Sequence, residues 1–293
     1  MTKLEDGLYK WVKENQETYE RLGRTIHMAA KDIEAAVEAM QPVVDELAKR
    51  EESIVSHLQN SLGPSLNQIE KISEITKTIA TQVSPSLTEL VRSAEALPPK
   101  VRNSLLSLAN HGWYYDVFNG TFPHLISMAE ALENGGPEAI NEYMIDYFEQ
   151  NLNDIEDYLL RLYPNRRSVI TAAFRAHRNG EYKLSTLAFF SQVDGICWET
   201  TGYYFFMRKA KRPETAQYVE NFARRELTNA MLSVLSHRVP VNFNEWDRKE
   251  VENFSELNRH MVIHGESVDY GTHQNSLKSL SLLNHVVQAL EFA

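Results

Sequence analysis

One short stretch near the C-terminal end of the sequence concentrates side chains that could do chemistry. Arg259, His260 and His264 lie close together directly after Asn258. On a helix, residues three or four apart are neighbours, so these side chains are expected to line one edge of a cleft. Gly265 would permit the turn that exposes this edge.

An arginine beside two histidines suits chemistry on phosphates. Histidine moves protons near neutral pH, whereas arginine keeps its proton and offers a planar fork of donors that fits a phosphate. Together they match ribose-assisted RNA cleavage. In that reaction one group takes the 2′-hydroxyl proton or protonates the leaving 5′-oxygen, and a fixed cation stabilises the charged phosphorus centre. The reaction needs no metal, so we predict RNA cleavage without a cofactor.

The same residues resemble the motif of a known family. Arg259–His264 is similar to the Arg-polar-x-x-x-His motif of HEPN domains (higher eukaryotes and prokaryotes nucleotide-binding), with His260 in the polar position. HEPN domains are helical bundles, and many are metal-independent RNA endonucleases of toxin–antitoxin, abortive-infection and CRISPR systems. The flanking Asp269–Thr272 and Asn275–Leu277 extend the likeness to a block seen in many uncharacterised bacterial proteins. The resemblance covers at most residues 101–293.

The resemblance implies a dimer and a role for each motif residue. In HEPN nucleases two motifs face each other across a twofold axis and form one composite site. Arg259 and His264 would be the catalytic pair, and His260 would orient the phosphate or the other side chains. Many family members also carry an acidic or polar residue on an earlier helix. The candidates for that role and for support near the motif are Gln192, Asp194, Glu199, Asn258, Asp269 and Tyr270.

The resemblance also implies partners and a biological setting. The partners would be RNA and a second copy, or several copies, of the chain. An antitoxin or a sensor protein is a further candidate, because a helical region joined to a toxin-like nuclease suggests control by assembly. The implied role is a toxin-like effector in phage defence, which is an argument by analogy.

A metal site is the competing chemical interpretation of this segment. His260 and His264 have the spacing that places two imidazoles on one helix face. The stretch lacks the glutamate that zinc proteases carry between their histidines, however, and Arg259 would repel a cation. We therefore expect no metal here. The residues that could have added ligands are Glu266, Asp269 and His273.

A non-enzymatic alternative explains the polar cluster without catalysis. The chain would then be a helical interaction or scaffold protein with an inactive HEPN-like fold. Arg259, His260 and His264 would make buried hydrogen bonds that lock the last two helices, because buried polar groups need partners. Both interpretations stay open at the level of sequence.

The charge distribution limits the partners that the chain can bind. The 293 residues carry a net charge of −10, which argues against a general nucleic-acid coat protein. Residues 158–180 nevertheless contain arginines and no acid, and residues 207–225 contain six basic residues and only two acidic ones. Such patches can guide an anionic ligand or can be solvated helix faces. The predicted RNA-binding residues are Arg166, Arg167, Arg175 and Arg178.

The remaining composition predicts a cytoplasmic globular protein. The hydrophobic fraction is 43% and the charged fraction 24%. No apolar run has the length of a membrane span, and the acidic residues after Met1 are unlike a signal peptide, so no membrane contact is expected. Cys197, the single cysteine, predicts an inert core thiol. Trp198 and the aromatic run Tyr203–Phe206 are expected in the core.

Helical periodicity predicts an all-α fold, since alternating strand patterns and hairpin sequences are missing. Residues 26–91 carry an apolar seam typical of a coiled coil or an internal helical hairpin. The best candidate boundary is Leu97–Lys100. It divides an N-terminal helical, coiled-coil-like assembly or regulatory region, 1–100, from a HEPN-like helical bundle, 101–293.

The predicted bundle has one central helix. The stretch Leu184–Phe206 is apolar on nearly every side, so we expect it to be buried. A further helix ends near Glu133, and His111–Tyr115 and Pro240–Trp246 are expected to be loops. The other predicted helices are Glu138–Leu162, Arg166–His177, Pro213–His237, Asp247–Ile263 and Gln274–Leu290.

Overall fold

A computed structural model describes residues 96–293, with the exception of Ala210, Arg224 and Arg225. Of these residues, 71% are helical, which confirms a mostly helical fold for this part of the chain. The predicted seam of residues 26–91 lies outside the described residues. No helix within the described part combines the length and the apolar character needed to cross a membrane.

The described part begins with helix α1, residues 96–110. Leu97–Lys100, predicted to be a boundary, are therefore helical. Leu97–Ala293 forms one compact unit. The role of residues 1–100 as an assembly region stays a prediction.

Helices in the first half of this unit begin and end at local sequence features. The Thr121 hydroxyl accepts the His124 N–H at 3.3 Å and caps α2, and Gly136 with φ 72° ends that helix. Gly180 with φ 75° follows α5 in the same way. The ranges are α2 Phe122–Gly135, α3 Glu138–Gln150, α4 Leu152–Leu162, a 3₁₀ turn Pro164–Arg166, α5 Arg167–Arg178 and α6 Tyr182–Thr201.

The second half is built from short pieces followed by one long helix. A small antiparallel hairpin pairs β1, Arg208–Lys209, with β2, Arg212–Pro213, a strand pair that the sequence did not predict. The helices are α7 Ala216–Val219, α8 Glu226–Met231, α9 Ser233–Ser236, α10 Glu245–Lys249, α11 Arg259–Ile263 and α12 His273–Phe292. The 3₁₀ turns are Glu220–Phe222 and Pro240–Asn242.

Three predicted helices are interrupted. Glu138–Leu162 breaks at Asn151, whose Nδ2 donates to the Tyr147 carbonyl at 2.7 Å and so competes with the helical ladder. Pro213–His237 is split into α7, α8 and α9, and Asp247–Ile263 into α10 and α11. Apolar periodicity does not detect such breaks, because it continues across them.

The buried centre of the unit is α12, and the prediction for Leu184–Phe206 was wrong. Every residue from Ser276 to Leu290 is buried, and α12 packs against α6 and also contacts α3, α4 and α8. Helix α6 ends at Thr201 and leaves Trp198 51% exposed. Of the other aromatic residues expected in the core, Phe205 is buried and Tyr204 is exposed.

Polar side chains of α12 can be buried because the loop after α1 supplies their partners. Asp116 is buried, and its carboxylate accepts from Asn284 Nδ2 at 3.1 Å and from Gln288 Nε2 at 2.8 Å. His285 Nδ1 lies 2.8 Å from the Tyr115 carbonyl and donates to it. A buried polar group without a partner costs about 1–3 kcal/mol, so these long-range bonds make α12 a possible central helix.

Candidate functional site

The predicted catalytic segment forms a single helical turn, α11, whose start is fixed by Asn258. This side chain is 2% exposed, and its oxygen accepts the Met261 N–H at 3.1 Å as an N-cap. Its Nδ2 donates to the carbonyls of Pro240 and Phe243 at 2.7 and 2.9 Å. A helix this short is not stable alone, so these bonds set its position.

Arg248 connects the residues before and after α11 through one hydrogen bond and one ion pair. Gly265 has φ 71°, which an L side chain rarely adopts, and it turns the chain after His264. Glu266 then lies 2.6 Å from Arg248 Nη2, while Arg248 Nη1 donates to the Asn258 oxygen at 3.1 Å. Arg248 was not singled out from the sequence, because its role depends on this arrangement.

Arg259 is half-buried between an acid and an aromatic ring. Its Nη2 lies 3.8 Å from Asp194 Oδ2 on α6, and its guanidinium carbon is 5.3 Å from the centre of the Phe206 ring. The Phe206 N–H donates to Asp194 Oδ1 at 3.0 Å. Burial raises the pKa of Asp194, against the opposing effects of this N–H and of Arg259. Asp194 therefore lies close to the Arg259 guanidinium and also holds the backbone of Phe206, whose ring covers that guanidinium.

The two predicted histidines contact each other. The ring centres of His260 and His264 are 4.3 Å apart, and His260 Nε2 is 3.3 Å from Glu266 Oε1. Burial, followed by the neighbouring His264, lowers the pKa of His260. The neutral imidazole, which can accept a proton, is therefore favoured at His260. His264 ends α11 and is exposed.

A cavity of about 150 Å³ lies beside Arg259 and His260. Arg208 also lines it, and this guanidinium donates to Asp247 and to the Asn242 carbonyl. The Arg208 guanidinium is thus paired already, which leaves Arg259 and His260 as the groups that can hold an anionic group in this space. The other residues that line the cavity are Phe206, Val241, Asn242, Phe243 and Asn244.

The structure separates the supporting residues that the sequence grouped. Asp194 lies beside Arg259, as described above, but Glu199 pairs with Arg166 at 2.9 Å. Asp269 accepts from the Ser267 hydroxyl at 3.1 Å, and the Tyr270 carbonyl accepts from Asn275 and Thr272. Gln192, Glu199, Asp269 and Tyr270 are not among the residues that line the cavity.

The predicted RNA-binding arginines fall into two kinds. Arg166 donates to Gln192 at 3.0 Å and to Glu199 at 2.9 Å, and it passes close to Gly195, where a methyl group would come within 2.6 Å of it. Arg178 pairs with Glu156 at 2.7 Å. Of these four arginines, Arg167 and Arg175 are exposed and form no ion pair with a described residue.

A second polar cluster, Glu149, His177 and His273, was not predicted as a group. Glu149 lies 28 residues before His177 and 124 before His273, so sequence spacing gave no indication of it. The structure places His273 here and not beside His260, where it had been considered as a ligand. Burial opposes the charge of Glu149, but hydrogen bonds and charges from the two histidines lower its pKa overall. Burial lowers the pKa of His177.

Comparison of the chain with protein-family models, curated proteins and solved structures found no match. The HEPN resemblance therefore depends on the motif residues themselves.

Proposed function

We propose that the chain is a metal-independent endoribonuclease of HEPN type whose active site is completed by a second copy of the chain. The observation that carries this proposal is the cavity beside α11. Arg259 can bind phosphate oxygens there, while His260 borders the cavity and its ring contacts that of His264. These are the groups that ribose-assisted cleavage requires.

The proposed reaction starts with attack of a ribose 2′-oxygen on the adjacent phosphorus. The 2′-hydroxyl proton passes to a neutral imidazole, and Arg259 stabilises the additional negative charge on the phosphorus centre. The bond to the 5′-oxygen then breaks, and a protonated imidazole supplies the proton to that oxygen. The products are a 2′,3′-cyclic phosphate and a 5′-hydroxyl. In a composite site, His264 of each copy is available for one of the two proton transfers, and His260 positions the phosphate.

Exposed apolar side chains around α11 support a second copy as the missing half of the site. Ile263, two residues before the turn at Gly265, is 43% exposed, and Val268, three residues after it, is 72% exposed. Met207, next to Phe206 in sequence, is also exposed. Exposed apolar residues that surround polar ones are typical of interaction surfaces. Docking through these residues would bring two α11 segments together.

The non-catalytic alternative predicts that the motif residues are buried and fully hydrogen-bonded. The Arg259 side chain is 30% exposed and that of His260 39% exposed, whereas Asn258 is buried and makes the bonds that lock the segment. This division of roles favours chemistry at Arg259, His260 and His264, with Asn258 as their support. The further role as a toxin-like effector in phage defence, controlled by residues 1–100 or by an antitoxin, rests on the family resemblance alone.

The test uses the purified full chain and a single-stranded RNA. We expect cleavage that leaves a cyclic phosphate, and we expect resistance when the 2′-hydroxyl at the cleaved position is replaced by hydrogen. His264→Ala should reduce the rate by about 10²–10⁴-fold, the usual contribution of acid–base catalysis, and Arg259→Ala by about 10²–10³-fold, the usual loss when one charge-stabilising donor is removed. His237→Ala removes an exposed histidine elsewhere and serves as the control.

Three results would count against the proposal. The first is equal cleavage by the wild type and by both motif variants with unchanged melting temperatures, since a contaminating nuclease would behave this way. The second is cleavage of the 2′-deoxy substrate at the same position. The third is loss of cleavage when a chelator is added while the protein stays folded.

A further inference from the structure

The cluster of Glu149, His177 and His273 is separate from the proposed ribonuclease site, and each residue comes from a different helix. Glu149 lies at the end of α3, His177 near the end of α5, and His273 at the start of α12. One ligand atom of each residue lies within 4.8 Å of the others. It is the one group of three possible metal ligands found this close together in the described part of the chain.

The distances between the three possible ligand atoms are close to those around a bound metal ion. His177 Nε2 and His273 Nε2 lie 2.8 Å and 2.5 Å from the same atom, Glu149 Oε1. Around a tetrahedral Zn²⁺ with bonds of about 2.0 Å, ligand atoms are about 3.3 Å apart. Outward shifts of less than about 1 Å would therefore open a space for the ion between the two nitrogens and the carboxylate.

A hydrogen-bond chain behind His177 gives the cluster the support that metal-binding histidines use. His177 Nδ1 lies 2.8 Å from the Ser276 hydroxyl, and that hydroxyl lies 2.6 Å from the Ser185 hydroxyl. Both serines are fully buried. Without a metal, Nε2–H donates to the Glu149 carboxylate. A metal ion would replace that proton, and Nδ1–H would then donate to Ser276 and hold the ring in place.

The cluster is open on one side. The His177 side chain is only 2% exposed, whereas those of Glu149 and His273 are 37% and 39% exposed. Metal ions can therefore enter from the side of Glu149 and His273. Three protein ligands with one accessible side resemble zinc sites that keep a fourth position for water.

The local charges also favour this cluster over the histidine pair of the motif. Glu149 is the anionic ligand here, and the nearby Arg178 is already paired with Glu156 at 2.7 Å. His260 and His264 are instead flanked by Arg259, and the nearby Glu266 is bound by Arg248 at 2.6 Å. A divalent cation would be repelled there.

We propose that Glu149, His177 and His273 bind one Zn²⁺ ion, with two imidazoles and one carboxylate as ligands. Imidazole ligands favour Zn²⁺ and similar transition metals over Mg²⁺ and Ca²⁺, which prefer oxygen. The ion would connect α3, α5 and the central helix α12, and so would stabilise the unit. This function does not depend on the proposed ribonuclease.

The experiment measures metal binding directly on the full chain. Co²⁺ added to the metal-free protein is expected to give the visible absorption of a tetrahedral cobalt site, and Zn²⁺ is expected to displace it at one equivalent. Zn²⁺ at about 100 times its Kd should raise Tm by roughly 5–10 °C, since binding to the folded state alone stabilises that state. Mg²⁺ at the same concentration should leave Tm unchanged.

Variants locate the site. Glu149→Gln and His273→Ala should each abolish the cobalt spectrum and the zinc-dependent rise in Tm, with circular dichroism of the metal-free proteins confirming that they fold. Glu149→Gln keeps the size of the side chain and can still accept a hydrogen bond, so it should fold even if His273→Ala does not. The matched control is the double variant His260→Ala with His264→Ala, which should bind cobalt like the wild type.

Two outcomes overturn the proposal. One is a wild-type protein that shows neither the cobalt spectrum nor a zinc-dependent Tm. The other is binding that is lost in the double variant and retained in Glu149→Gln, which would place the metal at the motif. Loss of RNA cleavage by His264→Ala with unchanged cobalt binding would separate the two sites, so either proposal can fail alone.

Discussion

The Arg259 guanidinium lies 3.8 Å from the carboxylate of Asp194, and these residues come from α11 and α6. The second Asp194 oxygen accepts the Phe206 N–H at 3.0 Å, so the carboxylate has a fixed orientation. Of the acidic and polar candidates on the earlier helix, Asp194 is the one that contacts the motif.

Asp194→Asn should therefore lower the rate of RNA cleavage. Asparagine keeps the size and one acceptor oxygen but removes the charge that orients Arg259, so we expect a loss of about 10-fold or more with little change in Tm. Steady-state cleavage of a fluorescent RNA measures the effect. Glu199→Gln on the same helix breaks the pair with Arg166 and should cleave like the wild type. Equal losses in both variants would argue against a specific role for Asp194.

Asn258→Ala should destabilise the unit. The variant loses the N-cap of α11 and leaves the Pro240 and Phe243 carbonyls without their buried donor. We expect the free energy of unfolding to fall by about 2–4 kcal/mol, measured by urea denaturation. Asn244→Ala removes the exposed cap of the equally short α10 and should cost about 1 kcal/mol. A smaller loss for Asn258 than for Asn244 would contradict the assigned anchoring role.

Arginines of the basic stretch should differ in their contribution to RNA binding. Arg167 and Arg175 are exposed, so Arg167→Ala and Arg175→Ala should each reduce the salt dependence of binding to single-stranded RNA by about 0.7 in the slope of log K against log salt. Arg166→Ala should change this slope little and should lower Tm, because Arg166 binds Gln192 and Glu199. Binding isotherms at several salt concentrations test this, and an equal change of slope for all three variants would contradict it.

His285 should make the stability of the unit depend on acid pH. It is fully buried, and burial lowers its pKa to about 4, against smaller opposing effects of the Tyr115 carbonyl and Asp116. In the unfolded chain His285 therefore binds a proton as the pH falls through about 6.5, whereas in the folded chain it does so only at about pH 4. Its contribution to stability is complete above pH 6.5 and is lost as the pH falls towards 4, by roughly 3 kcal/mol.

His285→Gln provides the comparison for this effect. Glutamine can still donate to the Tyr115 carbonyl but does not titrate, so its unfolding free energy should fall less steeply than that of the wild type over the same pH range. His237→Gln, at an exposed position, should follow the wild type. Parallel curves for the wild type and His285→Gln would show that His285 is not the group responsible.

Local sequence features determined where some helices begin and end. Thr121 and Gly136 bound α2, and Asn179 with Gly180 ends α5, because caps and glycine turns act within a few residues. The prediction of one unbroken helix across Asn151 was wrong, because the Asn151 side chain bonds to the Tyr147 carbonyl at this point. Apolar periodicity shows which residues face the core, but it does not show where a helix is interrupted.

The central helix could not be identified from the sequence, because its buried polar residues depend on distant partners. The segment α12 carries serines, Asn284, His285 and Gln288 and so looks amphipathic, whereas α6 looks uniformly apolar. Burial of the polar residues becomes favourable only when Asp116 and Tyr115, far away in sequence, supply hydrogen bonds. That compensation is a property of the folded chain.

The candidate site likewise combines residues that are close in sequence with residues that only the fold brings together. The sequence by itself placed Arg259, His260 and His264 together, because they lie within two turns of chain. Only the tertiary structure brought Asp194 and Arg208 to them, and only helix packing assembled Glu149, His177 and His273. Side chains that are distant in sequence meet when burial of apolar surface and pairing of buried polar groups favour one arrangement of the helices, and no local pattern encodes that choice.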